Sequence, residues 1–224
     1  MRQLVFDLLP VNPPSLDNFV SAGNEQALAE FTGWLAGNGN GTSLHLWGES
    51  ASGKTHLLAA SGFEFVDAAV NSKLADIEIT PHLAVDNVDQ LDDAGQIALF
   101  NIFNRSKAAG GRLLTAARQP PSHLALREDL RTRLGSGLIC RLHPLSDAQK
   151  AAALRAQAEE RAMKLPPEWF DYLLKHAPRD MRTLSALIVA IDRYSLETKR
   201  AVTLPLLREV LRNPLESHHE SRTV

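Results

Sequence analysis

The sequence has few of the features that mark disulfide-bonded, zinc-binding or membrane proteins. Cys140 is its one cysteine, which excludes an internal disulfide and a cysteine cluster for zinc. The longest apolar runs are far shorter than the roughly 20 residues of a membrane span. The N-terminus also lacks the charged and apolar regions of an export signal. We therefore expect a cytoplasmic protein with no membrane partner.

Neither sign of charge is in large excess. The 224 residues include 24 Lys and Arg and 26 Asp and Glu, which gives a formal net charge of -2. This balance argues against broad electrostatic binding to nucleic acid. With 44% hydrophobic and 22% charged residues, the composition is typical of soluble globular proteins. The length suits one domain or two small ones.

One stretch carries a specific motif, because residues 48–55 have the pattern G-x-x-x-x-G-K-T. An apolar run at 44–47 precedes it and a run suited to a helix follows, which is the strand, loop and helix order that the motif requires. Its glycines let backbone N–H groups point at phosphates. Lys54 is expected to reach the β- and γ-phosphates, and the Thr55 hydroxyl to hold Mg²⁺. The alternative is a chance turn before a helix. The predicted cofactor-binding residues here are Gly48, Ser50, Ala51, Ser52, Gly53, Lys54, Thr55 and His56.

A second candidate site residue, Asp86, ends the apolar run 82–86. In phosphate-loop enzymes such a carboxylate holds Mg²⁺ directly or through water; the alternative is a loop of solvated acids. The next residue is Asn87, which has no carboxylate with which to accept a proton. We therefore expect weak or no stand-alone hydrolysis, unless Asp89 takes the role of base.

Five apolar runs alternate with helical segments up to residue 145, and only helices follow. This order predicts an α/β fold, with a five-stranded parallel sheet covered by helices on both faces, followed by a small all-helical lid. Thr115, at the end of the fourth strand, either contacts the γ-phosphate or has no role. The expected divisions of the chain are a short peptide and linker (1–14), the α/β unit (15–145), the lid (146–212) and a polar tail (213–224).

Two groups of arginines and the N-terminal peptide each allow two interpretations. The helix at 126–134 contains Arg133 and is either a solvated surface with internal charge pairs or the source of an arginine aimed at a neighbouring subunit's nucleotide. Arg182 is either a surface residue or a phosphate contact in the lid. Residues 3–8 precede a proline-rich connector and form either a packed arm or a linear peptide that docks into a partner's groove.

The phosphate loop in an α/β unit, followed by a helical lid, is similar to the AAA+ ATPases. The chain resembles DnaA, the bacterial replication initiator, in several segments: 15–20 with 23–24, the Asp86 strand, 118–121, and 180–184. It resembles most the Hda family of DnaA-related regulatory inactivators. The hexapeptide 3–8 is similar to the sliding-clamp-binding peptide of that family, and no helix-turn-helix domain follows the lid. The resemblance covers residues 1 to 212.

The resemblance implies a role for several residues. Phe19 and Val20 would border the adenine of ADP or ATP, the phosphate loop would bind its phosphates, and Thr55 and Asp86 would serve Mg²⁺. Arg133 would act in trans on the partner's nucleotide, and Arg182 would be the sensor arginine of the lid. The implied clamp-binding residues are Gln3, Leu4, Phe6 and Leu8. One departure is that Ala116 and Ala117 occupy the region where the family has an acidic residue.

The function that the resemblance implies is negative regulation of replication initiation. The protein would bind the DNA-loaded sliding clamp of DNA polymerase III and stimulate hydrolysis of DnaA-bound ATP, which leaves inactive ADP-DnaA. Its partners would be DnaA and the clamp, with homodimerisation as a further option and DNA contacted only indirectly. The rival hypotheses are a self-sufficient AAA+ ATPase or loader motor, and a replication adaptor whose nucleotide site is vestigial.

Overall fold

A computed structural model describes residues 13–38, 41–77, 80–198 and 201–212. The predicted clamp peptide and the polar tail lie outside these residues. The described residues divide into two compact units, one comprising 13–145 and the other beginning at Ser146.

The first unit contains a parallel five-stranded sheet, which confirms the predicted fold class. Its strands are β1 (Ser43–Trp47), β2 (Glu64–Asp67), β3 (His82–Asp86), β4 (Arg112–Ala117) and β5 (Leu138–Arg141). They lie in the order β2-β3-β4-β1-β5. The central strands β1, β3 and β4 are buried along almost their whole length, as expected of a parallel sheet covered on both faces. All five strands end at one edge, where parallel α/β sheets bind ligands.

Four α-helices cover the two faces of this sheet. They are α1 (Glu25–Leu35), α2 (Lys54–Ala60), α3 (Asp93–Ala108) and α4 (Glu128–Gly135), with 3₁₀ turns at Val88–Gln90 and Pro121–His123. Helices α1 and α2 pack on one face and α3 and α4 on the other. The side chain of Asp92 caps α3 by accepting from the backbone N–H of Gly95 at 2.9 Å, so the helix begins at the next residue, Asp93. It ends at Ala108, and Gly110, two residues later, has a φ of +68° that suits glycine.

The second unit consists of four helices around one apolar core. They are α5 (Asp147–Glu160), α6 (Pro167–His176), α7 (Met181–Thr198) and α8 (Leu204–Arg212). Ser146 and Gln149 form a capping box at the start of α5, as expected from their spacing. Trp169 and Phe170 lie at the centre of the core, with 0% and 1% of their surfaces exposed. No helix within the described ranges has the length and apolarity needed to cross a membrane.

Asn24 joins the beginning of the α/β unit to its end. Asn24 immediately precedes α1, but its side chain makes no capping hydrogen bond to that helix. Its amide instead donates to the carbonyl oxygen of His143 at 2.9 Å and accepts from the His143 N–H at 2.8 Å. Asn24 is only 4% exposed, so these two bonds satisfy polar groups that water reaches poorly.

Replacing Asn24 by alanine should destabilise the protein, because two backbone groups of His143 lose a partner in a partly buried place and the buried Asn24 side chain is removed. We expect the free energy of unfolding to fall by about 2–4 kcal/mol in urea titrations. Asn101→Ala, on the exposed side of α3, is the control and should change it by less than about 0.5 kcal/mol. Equal stability of the two variants would contradict the bridging role.

Candidate nucleotide site

The Lys54 ammonium lies inside the loop that connects β1 to α2. Its Nζ donates to the carbonyl oxygens of Gly48 and Glu49, both at 2.8 Å, and to Ser52 Oγ at 3.3 Å. Burial lowers the pKa of Lys54, while the negative charges of Asp86 and Asp89 oppose that shift. A cation is thus held at the N-terminus of a helix, the arrangement that phosphate groups bind.

Close approaches explain the glycines of this loop. A Cβ at Gly48 would collide with the carbonyl oxygen of Leu142, and one at Gly53 would lie 2.7 Å from Cε2 of Phe19. Gly53 also has a φ of +96°, and Ala51 one of +60°, in the left-handed region that favours glycine. The predicted cofactor-binding residues of this stretch lie together in the loop and the first turn of α2; they are Gly48, Ser50, Ala51, Ser52, Gly53, Lys54, Thr55 and His56.

Thr55 and Asp86 meet at the start of α2. The Thr55 hydroxyl donates to Asp86 Oδ2 at 2.5 Å, and the N–H of Asn87 donates to Asp86 Oδ1 at 2.8 Å. Burial raises the pKa of Asp86, whereas these two hydrogen bonds lower it. The paired oxygens of Thr55 and Asp86 fit Mg²⁺, which takes oxygen ligands and keeps several waters. No group of three His, Cys, Asp or Glu suited to a metal occurs in the described part of the chain, so phosphate oxygens and waters would complete the shell.

The segment predicted to border adenine packs against the phosphate loop. The Phe19 ring lies against Gly53 and makes an edge contact with the His56 ring, with 5.5 Å between centroids. His56 Nε2 lies 2.8 Å from the carbonyl oxygen of Ser15 and donates to it. Phe19 and Val20 are both partly exposed. Apolar surface is therefore available beside the loop, where a base would lie if the phosphates bind as the motif predicts.

The side chain of Asn87 is hydrogen-bonded to a residue at the end of the neighbouring strand β2. Asn87 has a left-handed backbone (φ 53°, ψ 43°), which asparagine tolerates better than most residues. Its amide donates to Asp67 Oδ1 at 2.8 Å. Asp67 ends β2, on the side of β3 away from β4 and β1. Neither a carboxylate nor a freely directed side chain is therefore present at the position after Asp86.

Asp89 is the other acid of this edge. Its Oδ1 atom is buried and has no hydrogen-bond partner among the described residues. Its negative charge acts on the Lys54 ammonium and on the His45 imidazole, opposing the lowering of both pKa values. Asp89 is therefore a carboxylate that acts on Lys54 and whose Oδ1 atom has an unused acceptor.

His45 is a buried polar residue of this region to which the sequence analysis gave no role. It is 1% exposed, and burial lowers its pKa to about 4, so it is neutral at pH 7. Its Nε2 donates to the Gln119 carbonyl oxygen at 3.3 Å, and its Nδ1 therefore accepts from the Thr115 hydroxyl at 2.8 Å. Thr115 thus bonds to His45. The sequence feature that could have indicated this role is a single histidine within the apolar run of β1.

Arg133 lies on the exposed surface of α4. Its guanidinium is 6.0 Å from the ring centroids of both Phe100 and Phe103, within the range of a cation–π contact. The neighbouring Arg131 is paired with Glu128 and Arg127 with Asp129. Arg133 has no carboxylate partner among the described residues.

Arg182 belongs to the second unit, where it is exposed in the first turn of α7. Its contact with phosphate stays a prediction. The predicted clamp residues, which are Gln3, Leu4, Phe6 and Leu8, lie outside the described part of the chain.

Known proteins are similar to this chain in sequence and in structure. Residues 147–211 match the family described as the lid domain of Hda. Domain III of the replication initiation protein DnaA from Thermotoga maritima superimposes with a TM-score of 0.68, covering 92% of this chain and 99% of that domain at 22% identity. The chain therefore has an Hda-type lid sequence at 147–211 and shares the fold of DnaA domain III.

Two further proteins similar to this chain extend the comparison. AMPPCP-bound DnaA from Aquifex aeolicus has a TM-score of 0.64 at 23% identity, and the match covers 84% of this chain and 68% of that one. An uncharacterised protein of Haemophilus influenzae is 29% identical over 94% of this chain and 98% of its own length.

The buried, neutral His45 should make the stability of the protein depend on pH. The unfolded chain takes up this proton near pH 6.5 and the folded protein only near pH 4, so acid favours unfolding between these values. We expect His45 to account for a loss of about 3 kcal/mol between pH 7 and pH 4. Urea titrations of His45→Gln should show that much less pH dependence than those of the wild type. The exposed control His123→Gln should behave as the wild type, and equal pH dependence in all three proteins would refute the assignment.

Proposed function

We propose that this protein is a negative regulator of replication initiation that promotes hydrolysis of the ATP bound to DnaA. The match of its second unit to the Hda lid and the DnaA-type fold of the whole chain support a DnaA-related replication regulator. AAA+ domains that share one fold can pack with a nucleotide of one beside an arginine of the next. The observation that carries the proposal is Arg133, which is exposed on α4 with no carboxylate partner among the described residues.

Arg133 would supply the chemistry in trans. When γ-phosphate leaves, negative charge spreads over its oxygens, and a guanidinium placed against them stabilises the transition state. Such an arginine accelerates hydrolysis by about 10³ to 10⁵. The rings of Phe100 and Phe103 hold the guanidinium without neutralising it, so its charge stays available to a partner.

The protein's own phosphate loop would hold ADP or ATP mainly as a structural ligand. Lys54 and the amides at the start of α2 would bind the phosphates, and Thr55 with Asp86 would hold Mg²⁺, which neutralises phosphate charge when bound. The Aquifex relative was solved with AMPPCP bound, which supports nucleotide binding. Asn87 is bonded to Asp67 and offers no base, which disfavours the rival function of a self-sufficient ATPase or loader motor.

The N-terminal hexapeptide would bring the protein to its site of action. Residues 3–8 would dock on the DNA-loaded sliding clamp, with Gln3 making hydrogen bonds and Leu4, Phe6 and Leu8 filling apolar pockets. A peptide of this size binds with roughly micromolar strength. Attachment to the clamp would raise the local concentration of Arg133 near DnaA, so a weak anchor is enough.

Loss of Arg133 should abolish the stimulation of DnaA. We expect Arg133→Ala to reduce the hydrolysis of DnaA-bound ATP, measured with loaded clamp, by about 10³-fold or to the unstimulated rate. Arg131→Ala is the matched control, because Arg131 lies on the same helix and is paired with Glu128. Stimulation by Arg133→Ala equal to that by Arg131→Ala would disprove the role in trans.

Loss of the hexapeptide contacts should release the protein from the clamp. We expect Gln3→Ala and Leu4→Ala each to weaken capture by immobilised clamp about tenfold or more. Arg2→Ala, outside the hexapeptide, should be captured as the wild type is. Undiminished capture of the Gln3 and Leu4 variants would remove the anchor from the proposed function.

A further inference from the structure

Helix α4, which carries Arg133, has no cap within its own sequence. Its N-cap residue Arg127 makes no side-chain capping hydrogen bond, and arginine is not among the residues that usually cap a helix, which are Ser, Thr, Asp and Asn. The residue three positions after the cap is Leu130. An apolar side chain there cannot bind the N-cap N–H as the Glu or Gln of a capping box does. The Arg127 N–H therefore needs a partner from elsewhere in the fold.

Gln96 of α3 supplies that partner. Its Oε1 accepts from the Arg127 N–H at 2.8 Å, and its Nε2 donates to the Leu91 carbonyl oxygen at 3.2 Å. Only this orientation of the amide satisfies both backbone groups. Gln96 is 7% exposed, so water competes little for either bond. A side chain 31 positions away in the sequence thus takes the place of the capping-box residue.

The same face of α3 also contacts the other end of α4. Phe100 and Phe103 follow Gln96 by four and seven residues, which is the spacing of one helix face. Both ring centroids lie 6.0 Å from the Arg133 guanidinium. The six residues from Arg127 to Arg133 correspond to about 9 Å of helix. One stripe of α3 therefore contacts α4 both where it begins and near where it ends.

Apolar packing alone does not set the start of α4. Leu130 and Leu134 are buried in the core of the α/β unit, and they determine which face of α4 points inward. Apolar burial has no directional preference, whereas a hydrogen bond requires a particular distance and angle. The bond from Gln96 therefore fixes the first turn of α4, and with it the direction in which the helix presents Arg133.

We propose that Gln96 is a positioning residue for Arg133. The proposal rests on the role in trans given to Arg133 under the proposed function. Gln96 acts through α4, because its bond to the Arg127 N–H keeps the first turn of the helix formed. A displacement of about 1 Å at a catalytic group can lower the rate about 10²-fold. Loss of the Gln96 bond should therefore slow the step that Arg133 accelerates without removing the guanidinium itself.

Hydrogen exchange of the full-length protein tests whether Gln96 holds α4. Gln96→Met removes both hydrogen bonds and nearly keeps the size of the side chain, so exchange at the Arg127 amide and in the first turn of α4 should become about tenfold faster. Gln96→Glu keeps an acceptor for the Arg127 N–H and should recover part of the protection. Ser106→Ala is the control, because Ser106 is a buried polar residue of α3 whose Oγ has no hydrogen-bond partner among the described residues. It should exchange at these amides as the wild type does.

Hydrolysis of DnaA-bound ATP, measured with loaded clamp at increasing concentrations of the protein, tests the effect on Arg133. Gln96→Met should lower the maximal rate about tenfold. The concentration that gives half-maximal stimulation should change by less than about twofold, because the variant keeps its docking surface and loses only the orientation of the arginine. Gln96→Glu should recover part of the maximal rate, and Ser106→Ala should match the wild type.

Unchanged exchange at the Arg127 amide of Gln96→Met would overturn the proposal. A maximal rate of Gln96→Met equal to that of Ser106→Ala would also overturn it. So would a loss that appears only as a higher half-maximal concentration, since Gln96 would then serve docking. Arg133→Ala separates this proposal from the proposed function. If Arg133→Ala stimulates as the wild type does, the role in trans fails and this proposal fails with it. If it abolishes stimulation while Gln96→Met keeps the full maximal rate, this proposal alone fails.

Discussion

The buried ammonium of Lys54 is the group on which the rest of the α/β unit depends. A charge removed from water needs polar partners, and Lys54 obtains them from three oxygens of its own loop. The loop must turn tightly to supply these oxygens, and the turn brings other atoms close to its backbone. Glycine is therefore needed at positions 48 and 53, where a Cβ would collide with neighbouring atoms. Phe19 covers Gly53, so the segment before α1 belongs to the same arrangement.

The parts of the structure that could be predicted from the sequence are those with a local signal. The loop from Gly48 to Thr55 has its own motif, and apolar runs separated by polar helices indicated the five parallel strands. The first and last residues of helices and strands were harder to predict, because a single hydrogen bond can decide where an element begins. Asp92, for example, caps α3, so the helix begins at Asp93 although the apolar residue Leu91 comes just before the cap.

Contacts between distant residues could not be predicted in this way. The positions of Asn24 and His143 are 119 apart in the chain, and nothing near either indicates the other. The bond between Asp67 and Asn87 depends on which strands are neighbours, and composition does not give the order β2-β3-β4-β1-β5. The role of His45 could not be predicted for the same reason, because its hydrogen-bonding partner Thr115 lies on another strand, β4.

The two hydrogen bonds between Asn24 and His143 have a consequence for the architecture of the protein. They bring residues 24 and 143 together, so the part of the α/β unit between them, which contains the whole sheet, begins and ends at adjacent places. A module with adjacent ends can be spliced into a host chain without stretching either. Different flanking segments can therefore be joined to this part of the chain without changing the sheet inside it.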